Sequence, residues 1–246
     1  MEPKPNSVLT LPAAIIIAAT LIAVAIIYVK KPIAAPAAIN TGPKMAEVSL
    51  APVTAADHIL GNPAASVKIV EYSDPSCPYC KTFHPIMQKL MAEYGPGGKV
   101  AWIYRSFPLD KPDQQGRILH PNAGHEAQAQ ECAASLGGND AFWKFTNRLF
   151  EITQSDKGIG LDQKELPNIA KYAGLDATKF NDCLSSGKFK DKVEKSYLDG
   201  VNAGVSGTPY SVILTPSGSK IPIVGAQPYA TIKSAIDALL SEAEIK

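Results

Sequence analysis

The sequence predicts an α/β domain in which a βαβ unit and a closing ββα unit flank an all-helical stretch, behind an apolar N-terminal span. Three observations carry this. Two runs rich in β-branched and aromatic residues bracket an amphipathic stretch between residues 67 and 105. Helical periodicity then holds from about residue 122 to 203, and the β pattern returns at Val205. With 24 basic against 23 acidic residues and no block of like charge, nothing points to nucleic acid or to an anionic membrane surface.

From Leu9 to Val29 no residue is charged. At 1.5 Å rise per residue that run is long enough for a hydrocarbon core of about 30 Å. It reads as a single-pass membrane helix, or as a long signal sequence, behind a tail of residues 1–8. Ala34, Ala35, Ala37 and Ala38 supply small residues for cleavage, but the run exceeds the usual signal core of about 7–15 residues, so an uncleaved anchor is expected. Lys30 and Lys31 follow the run while Lys4 precedes it; by that count alone the domain would face the cytoplasm. Residues 30–54 are Pro- and Ala-rich and read as a tether. The domain spans residues 55–246, opening with a polar lead, Ala56 to Pro63.

Val67 to Tyr72 is the first strand, and Ser73-Asp74-Pro75-Ser76 a short turn. Cys77-Pro78-Tyr79-Cys80 then opens a helix, with Pro78 at the first helical position, where its missing N–H costs nothing. Two thiols at this spacing can close a small disulfide ring, and free N–H groups at a helix start stabilise a thiolate. The residue types therefore point to redox chemistry. Phe83, Ile86, Met87, Leu90, Met91 and Tyr94 form one apolar stripe, and Pro85 inside it is expected to kink the helix. His84, one turn after Cys80, is expected on the helix surface.

Gly95-Pro96-Gly97-Gly98 ends the helix, and Lys99 to Arg105 reads as a central strand, giving a right-handed βαβ unit. Residues 106–120 form a loop. Helices are expected at Glu126 to Leu136, Ala141 to Ile152, from Asp162, at Asp176 to Leu184 and at Lys188 to Gly200, with Gly137-Gly138 as a cap and turn. Tyr210 to Leu214 and Lys220 to Val224 form a hairpin around Pro216-Ser217-Gly218, and Pro228 to Leu240 is the closing helix.

This order resembles the thioredoxin fold with a helical insertion of about residues 120–203. Cys-Pro-Tyr-Cys follows the first strand and Gly207-Thr208-Pro209 lies just before the hairpin. Within that fold the chain is similar to the DsbA-like thiol:disulfide oxidoreductases of bacterial envelopes, over approximately residues 55–246. The resemblance implies that Cys77 is an exposed nucleophile and Cys80 a buried resolving thiol, the two forming a redox-active disulfide. It implies that Pro209 is a cis-proline against the sulfurs, leaving the backbone of Thr208 free to pair with a substrate strand. It also places an acidic residue, here Glu71, beneath the resolving cysteine, where a raised pKa would let it carry protons for Cys80; the alternative is a solvated strand charge. Tyr79 stands where the most oxidising members have histidine, so a less depressed Cys77 pKa and a less oxidising couple are expected.

Counting cysteines leaves three connectivities open. The resemblance suggests a second, structural disulfide between Cys132 and Cys183, with free thiols or a second relay as alternatives. The implied activity is disulfide exchange with unfolded or newly exported proteins, most naturally as a disulfide-forming oxidase, with a membrane redox partner resetting the pair. An envelope reductase or isomerase, or a thioredoxin-fold chaperone or scaffold, is the alternative. A zinc site built from the four cysteines is disfavoured, because no second close-spaced pair accompanies the first. No organic cofactor and no metal are implied. Oxidising chemistry needs an oxidising compartment. The domain is therefore expected outside the cytoplasmic membrane, against the flanking-lysine count.

Overall fold

The computed structural model describes residues 48–113, 115–154 and 158–244. The apolar run from Leu9 to Val29 and most of the tether lie outside these residues. Among the described residues no helix is long and apolar enough to cross a membrane.

Five strands form one mixed sheet: β1 (His58–Gly61), β2 (Val67–Ser73), β3 (Val100–Ser106), β4 (Tyr210–Leu214) and β5 (Lys220–Val224), in the order β1-β3-β2-β4-β5. β2 and β3 are parallel, with Val67 opposite Val100 and Ser73 opposite Ser106; the β1–β3, β2–β4 and β4–β5 pairs are antiparallel. Helix α1 (Pro78–Tyr94) makes the crossover from β2 to β3, and α6 (Tyr229–Glu244) packs beside it. Between β3 and β4 lie α2 (Ala123–Ile152), α3 (Leu166–Tyr172), α4 (Ala177–Ser185) and α5 (Lys190–Asn202), with a 3-10 turn at Gln163–Glu165.

Alternation along the strands builds two layers. Val67, Ile69, Trp102, Tyr104 and Ile213 meet Phe83, Met87 and Leu90 of α1, Ile232 and Ile236 of α6, and Phe142 and Trp143 of α2. Val70, Tyr72, Ile103 and Val212 face the other way, toward Phe107, Ala203 and Val205. A third core inside the insertion gathers Phe145, Leu149, Leu166, Ile169 and Phe180 around Cys132 and Cys183. Those two cysteines are joined, S–S 2.02 Å, across a sequence separation of 51.

Three sequence expectations need correction. The polar lead contains a strand: His58–Gly61 pairs with β3 along the sheet edge. Four residues are too few to display an alternating pattern, and the pairing partners, from Tyr104 for His58 to Ala101 for Gly61, are far off in the sequence. The end of the tether belongs to the domain, since Val48 is buried and the Ala51 and Pro52 carbonyls accept hydrogen bonds from Arg105. Helix α1 runs uninterrupted through Pro85. His84 is buried rather than on the surface: its ring packs against Trp102 and Phe150, and Nε2 pairs with Asn147 Oδ1 at 2.8 Å. The face of α1 that it occupies is covered by α2, which sequence periodicity on α1 alone does not reveal. The two predicted helices around Gly137-Gly138 are the halves of α2, broken where Gly138 adopts φ 72° and ψ −165°.

Candidate active site

The site is assembled at the end of β2. Asp74 closes the turn that follows: its carbonyl accepts the Cys77 N–H at 3.1 Å and its Oδ1 accepts the Ser76 N–H at 2.8 Å. The turn delivers Cys77 to the N-cap of α1 in extended backbone (φ −75°, ψ 125°), with Pro78 next in the helix. Cys80 lies one turn on, fully buried, and its Sγ receives the Asp74 backbone N–H at 3.4 Å. Both cysteines are free thiols in this structure.

Cys77 is not exposed as the resemblance implied; only 3% of it is accessible. The segment leading into β4 covers it, so that the thiol donates to the Thr208 carbonyl at 3.5 Å. The Thr208–Pro209 peptide bond is cis. The hydrogen bond from Cys80 favours the Cys77 thiolate and, with help from Thr208 and the Cys80 backbone N–H, outweighs burial and the Asp74 charge; the Cys77 pKa is lowered. Burial pushes Cys80 the other way, and the charges of Cys77, Glu71 and Asp74 add to it. Two thiols of opposite character thus sit side by side. The outer one is a thiolate-former and the inner one a proton-holder.

Glu71 is fully buried on the α1 face of β2, and Trp102 Nε1 donates to its Oε2 at 2.8 Å. Its Oε1 has no hydrogen-bond partner among the described residues. Burial raises its pKa from 4.5 to about 7, so the carboxyl exchanges its proton near neutrality. A solvated strand charge is excluded by this placement.

A second buried polar group, absent from the sequence reading, braces the turn. Asp74 Oδ2 pairs with His120 Nδ1 at 2.7 Å and accepts the Leu109 N–H at 2.8 Å. Ser76 Oγ donates to Glu126 Oε2 at 2.7 Å, while Glu126 Oε1 accepts the Leu161 N–H at 2.7 Å. Burial lifts Glu126 to about 7. Asp74-Pro75-Ser76 was visible as a turn, but nothing local ties it to a loop histidine 46 positions away or to a glutamate 50 positions from Ser76.

With Cys132 and Cys183 bonded to each other, Cys77 and Cys80 are the remaining thiols. Among the described residues no group of three or more His, Cys, Asp or Glu is arranged to hold a metal ion.

A parallel βαβ unit joined to an antiparallel hairpin and helix, with a Cys-x-x-Cys at the crossover helix and a cis-proline facing it, defines the thioredoxin-fold class. A thioredoxin family model matches residues 53–238, and the chain belongs to that family. The crystal structure of Pseudomonas aeruginosa DsbA2 superimposes with a TM-score of 0.60 and 26% identity, over 76% of this chain and 97% of that one. The "Probable disulfide bond formation protein D" of Bacillus anthracis is 29% identical over 153 residues, 61% of this chain and 66% of that protein. The Na(+)/H(+) antiporter NhaA 3 of Salinispora tropica is 30% identical over 153 residues, which are 62% of this chain but 21% of the antiporter. The chain thus spans under two thirds of the length of these curated relatives.

Proposed function

We propose that this chain is a protein thiol:disulfide oxidoreductase that works as a disulfide-forming oxidase on unfolded or newly exported proteins. The observation that carries the reading is the paired Cys77 and Cys80 thiols with pKa values driven apart, the outer one against Thr208 and cis-Pro209. In the oxidised chain, a substrate thiolate attacks Cys77 Sγ. A new S–S bond forms as the Cys77–Cys80 bond breaks, and the electron pair stays on the Cys80 sulfur, which takes up a proton that Glu71 is placed to supply. A second substrate thiolate then attacks the substrate sulfur of the mixed disulfide, and Cys77 leaves as thiolate. The substrate loses two electrons and its two thiol protons; the cysteine pair gains the two electrons, one proton replaces the one that Glu71 gave to Cys80, and the other goes to solvent.

The lowered Cys77 pKa supports the oxidase direction, since a stabilised thiolate is a better leaving group and a more favourable reduced state. The Thr208 backbone, beside Pro209, offers an edge along which an extended substrate segment adds. We place the domain outside the cytoplasmic membrane, tethered by the Leu9 to Val29 run, with a membrane redox partner that accepts two electrons and resets the pair. The Cys132–Cys183 bridge supports an oxidising compartment.

The test is to equilibrate the full-length chain in detergent with glutathione buffers and count free thiols. A potential toward the roughly −120 mV of a strong oxidant supports the oxidase, whereas one near the roughly −270 mV of thioredoxin supports a reductase. If no stable Cys77–Cys80 disulfide forms, the redox reading fails. Full cellular function in a Cys77→Ser chain would instead favour a chaperone or scaffold.

A further inference from the structure

The Asp74 carboxylate stands where the redox chemistry would least tolerate an unbalanced negative charge. It is fully buried, its backbone N–H is bonded to Cys80 Sγ, and its carbonyl to the Cys77 N–H. A buried carboxylate in that place opposes the Cys77 thiolate. The motif itself carries no compensating cation, because Tyr79 is uncharged and 69% exposed.

The compensating group comes from the loop after β3. His120 is 8% exposed and Nδ1 meets Asp74 Oδ2 at 2.7 Å. The loop holds it there through His120 N–H to the Leu109 carbonyl and Ala123 N–H to the His120 carbonyl. Gly158, at φ +62°, makes room for the ring, since a Cβ there would sit 2.8 Å from His120 Cδ2. We infer that His120, held by Asp74, is a positioning residue for the exchange proposed at Cys77: as an imidazolium it cancels the Asp74 charge and so sets the oxidising strength of the cysteine pair from outside the motif.

The surrounding charges favour the protonated ring. Among the described residues, Asp74 faces it from the turn after β2, Cys77 from the start of α1 and Glu126 from α2, and Asp110 stands in the same loop against Gly124. Burial alone would lower the His120 pKa, but the hydrogen bond and charge of Asp74, then Cys77 and Glu126, raise it above the ordinary value. Coupling between two sites is reciprocal. If a Cys77 thiolate favours the proton on His120, that proton favours the thiolate equally. The effect is present while His120 is protonated and is lost as pH rises through its pKa, so the pair becomes a weaker oxidant beyond the ordinary proton dependence of the couple.

The test uses the full-length chain in detergent and three variants, His120→Asn, Asp74→Asn and the double variant. Asparagine at 120 can still donate to Asp74 but carries no charge. The thiolate absorbance of Cys77 is titrated and the glutathione equilibrium measured for each. His120→Asn should raise the Cys77 pKa by about one unit and make the pair about tenfold harder to reduce, which is roughly 30 mV. The double variant should return toward the wild type, because both charges are gone. An unchanged Cys77 titration in His120→Asn, with only a lower melting temperature, would reduce His120 to a loop brace and overturn the inference. Should the variants not fold, the His120 ring is titrated by NMR in the reduced and oxidised wild type. A higher His120 pKa in the reduced form supports the coupling; equal values overturn it. Failure of the wild-type pair to form any disulfide would sink the underlying redox reading, an outcome distinct from either of these.

Discussion

Trp102 Nε1 donates to Glu71 Oε2 at 2.8 Å across the parallel β2–β3 pair, fixing a carboxyl with a pKa of about 7 in the core on which Cys80 rests. The folded chain therefore holds this proton above the pH where the unfolded chain releases it. Its stabilising effect is fully present below about pH 4.5 and is lost as pH rises through about 7. The difference between the two pKa values corresponds to about 3 kcal/mol. Glu71→Gln, which cannot ionise, should be more stable than the wild type at pH 8 by up to that amount and nearly equal at pH 4.5, as read from urea unfolding at both pH values. The same variant should slow formation of the mixed disulfide, because the departing Cys80 sulfur loses a nearby proton donor.

Gly160 predicts a second effect on the site. Its φ of +86° suits glycine, and an added Cβ would run into Ser76 Oγ and Glu126 Oε1. Gly160→Ala should cost at least about 1 kcal/mol and should also slow exchange at Cys77, since Ser76 is its neighbour. Thermal unfolding together with single-turnover thiol exchange checks both parts. Lost stability with an unaltered rate would show that the Ser76–Glu126 contact does not reach the thiol.

The Cys132–Cys183 bridge should be separable from the chemistry. Replacing both cysteines by serine opens a loop of 51 residues and should destabilise the chain by about 4 kcal/mol in the chain-entropy account. The glutathione equilibrium of Cys77 and Cys80 should stay unchanged. Guanidinium unfolding and thiol counting on the same variant provide both readings.

Arg105 ties the N-terminal approach to the sheet. Its Nε meets Asp57 Oδ1 at 2.8 Å and its Nη1 meets Asp199 Oδ2 at 2.8 Å, beside the Tyr72 hydroxyl. Arg105→Met leaves two mostly buried carboxylates without their cation and should cost about 3 kcal/mol. Urea denaturation of the wild type and the variant at pH 7 measures the loss, and an unchanged midpoint would contradict it.

What sequence could reveal and what it could not divides along contact range. Val67 to Ser73, the stripe of α1 and the hairpin around Ser217 are written in short periodicities, and Cys77-Pro78-Tyr79-Cys80 carries its own local reason for starting a helix. The site members that escaped are those whose roles arise only on folding. His120 and Glu126 reach the turn from the far side of β3, and His84 is buried only because α2 lies over it. The short edge strand His58–Gly61 escaped for a related reason, since its pairing with β3, not its composition, makes it a strand.

Helix α2 forms the wall between two cores. In its first half, Cys132 is aligned by the bond to Cys183; in its second, Trp143 is set by Trp102 and Tyr104. In an unbroken helix, one inserted residue would rotate everything beyond it by about 100° and misalign both at once. The left-handed step at Gly138 separates the two halves, so each keeps its own registration. It is a joint at which the insertion can change length over time while the sheet and its thiols keep their alignment.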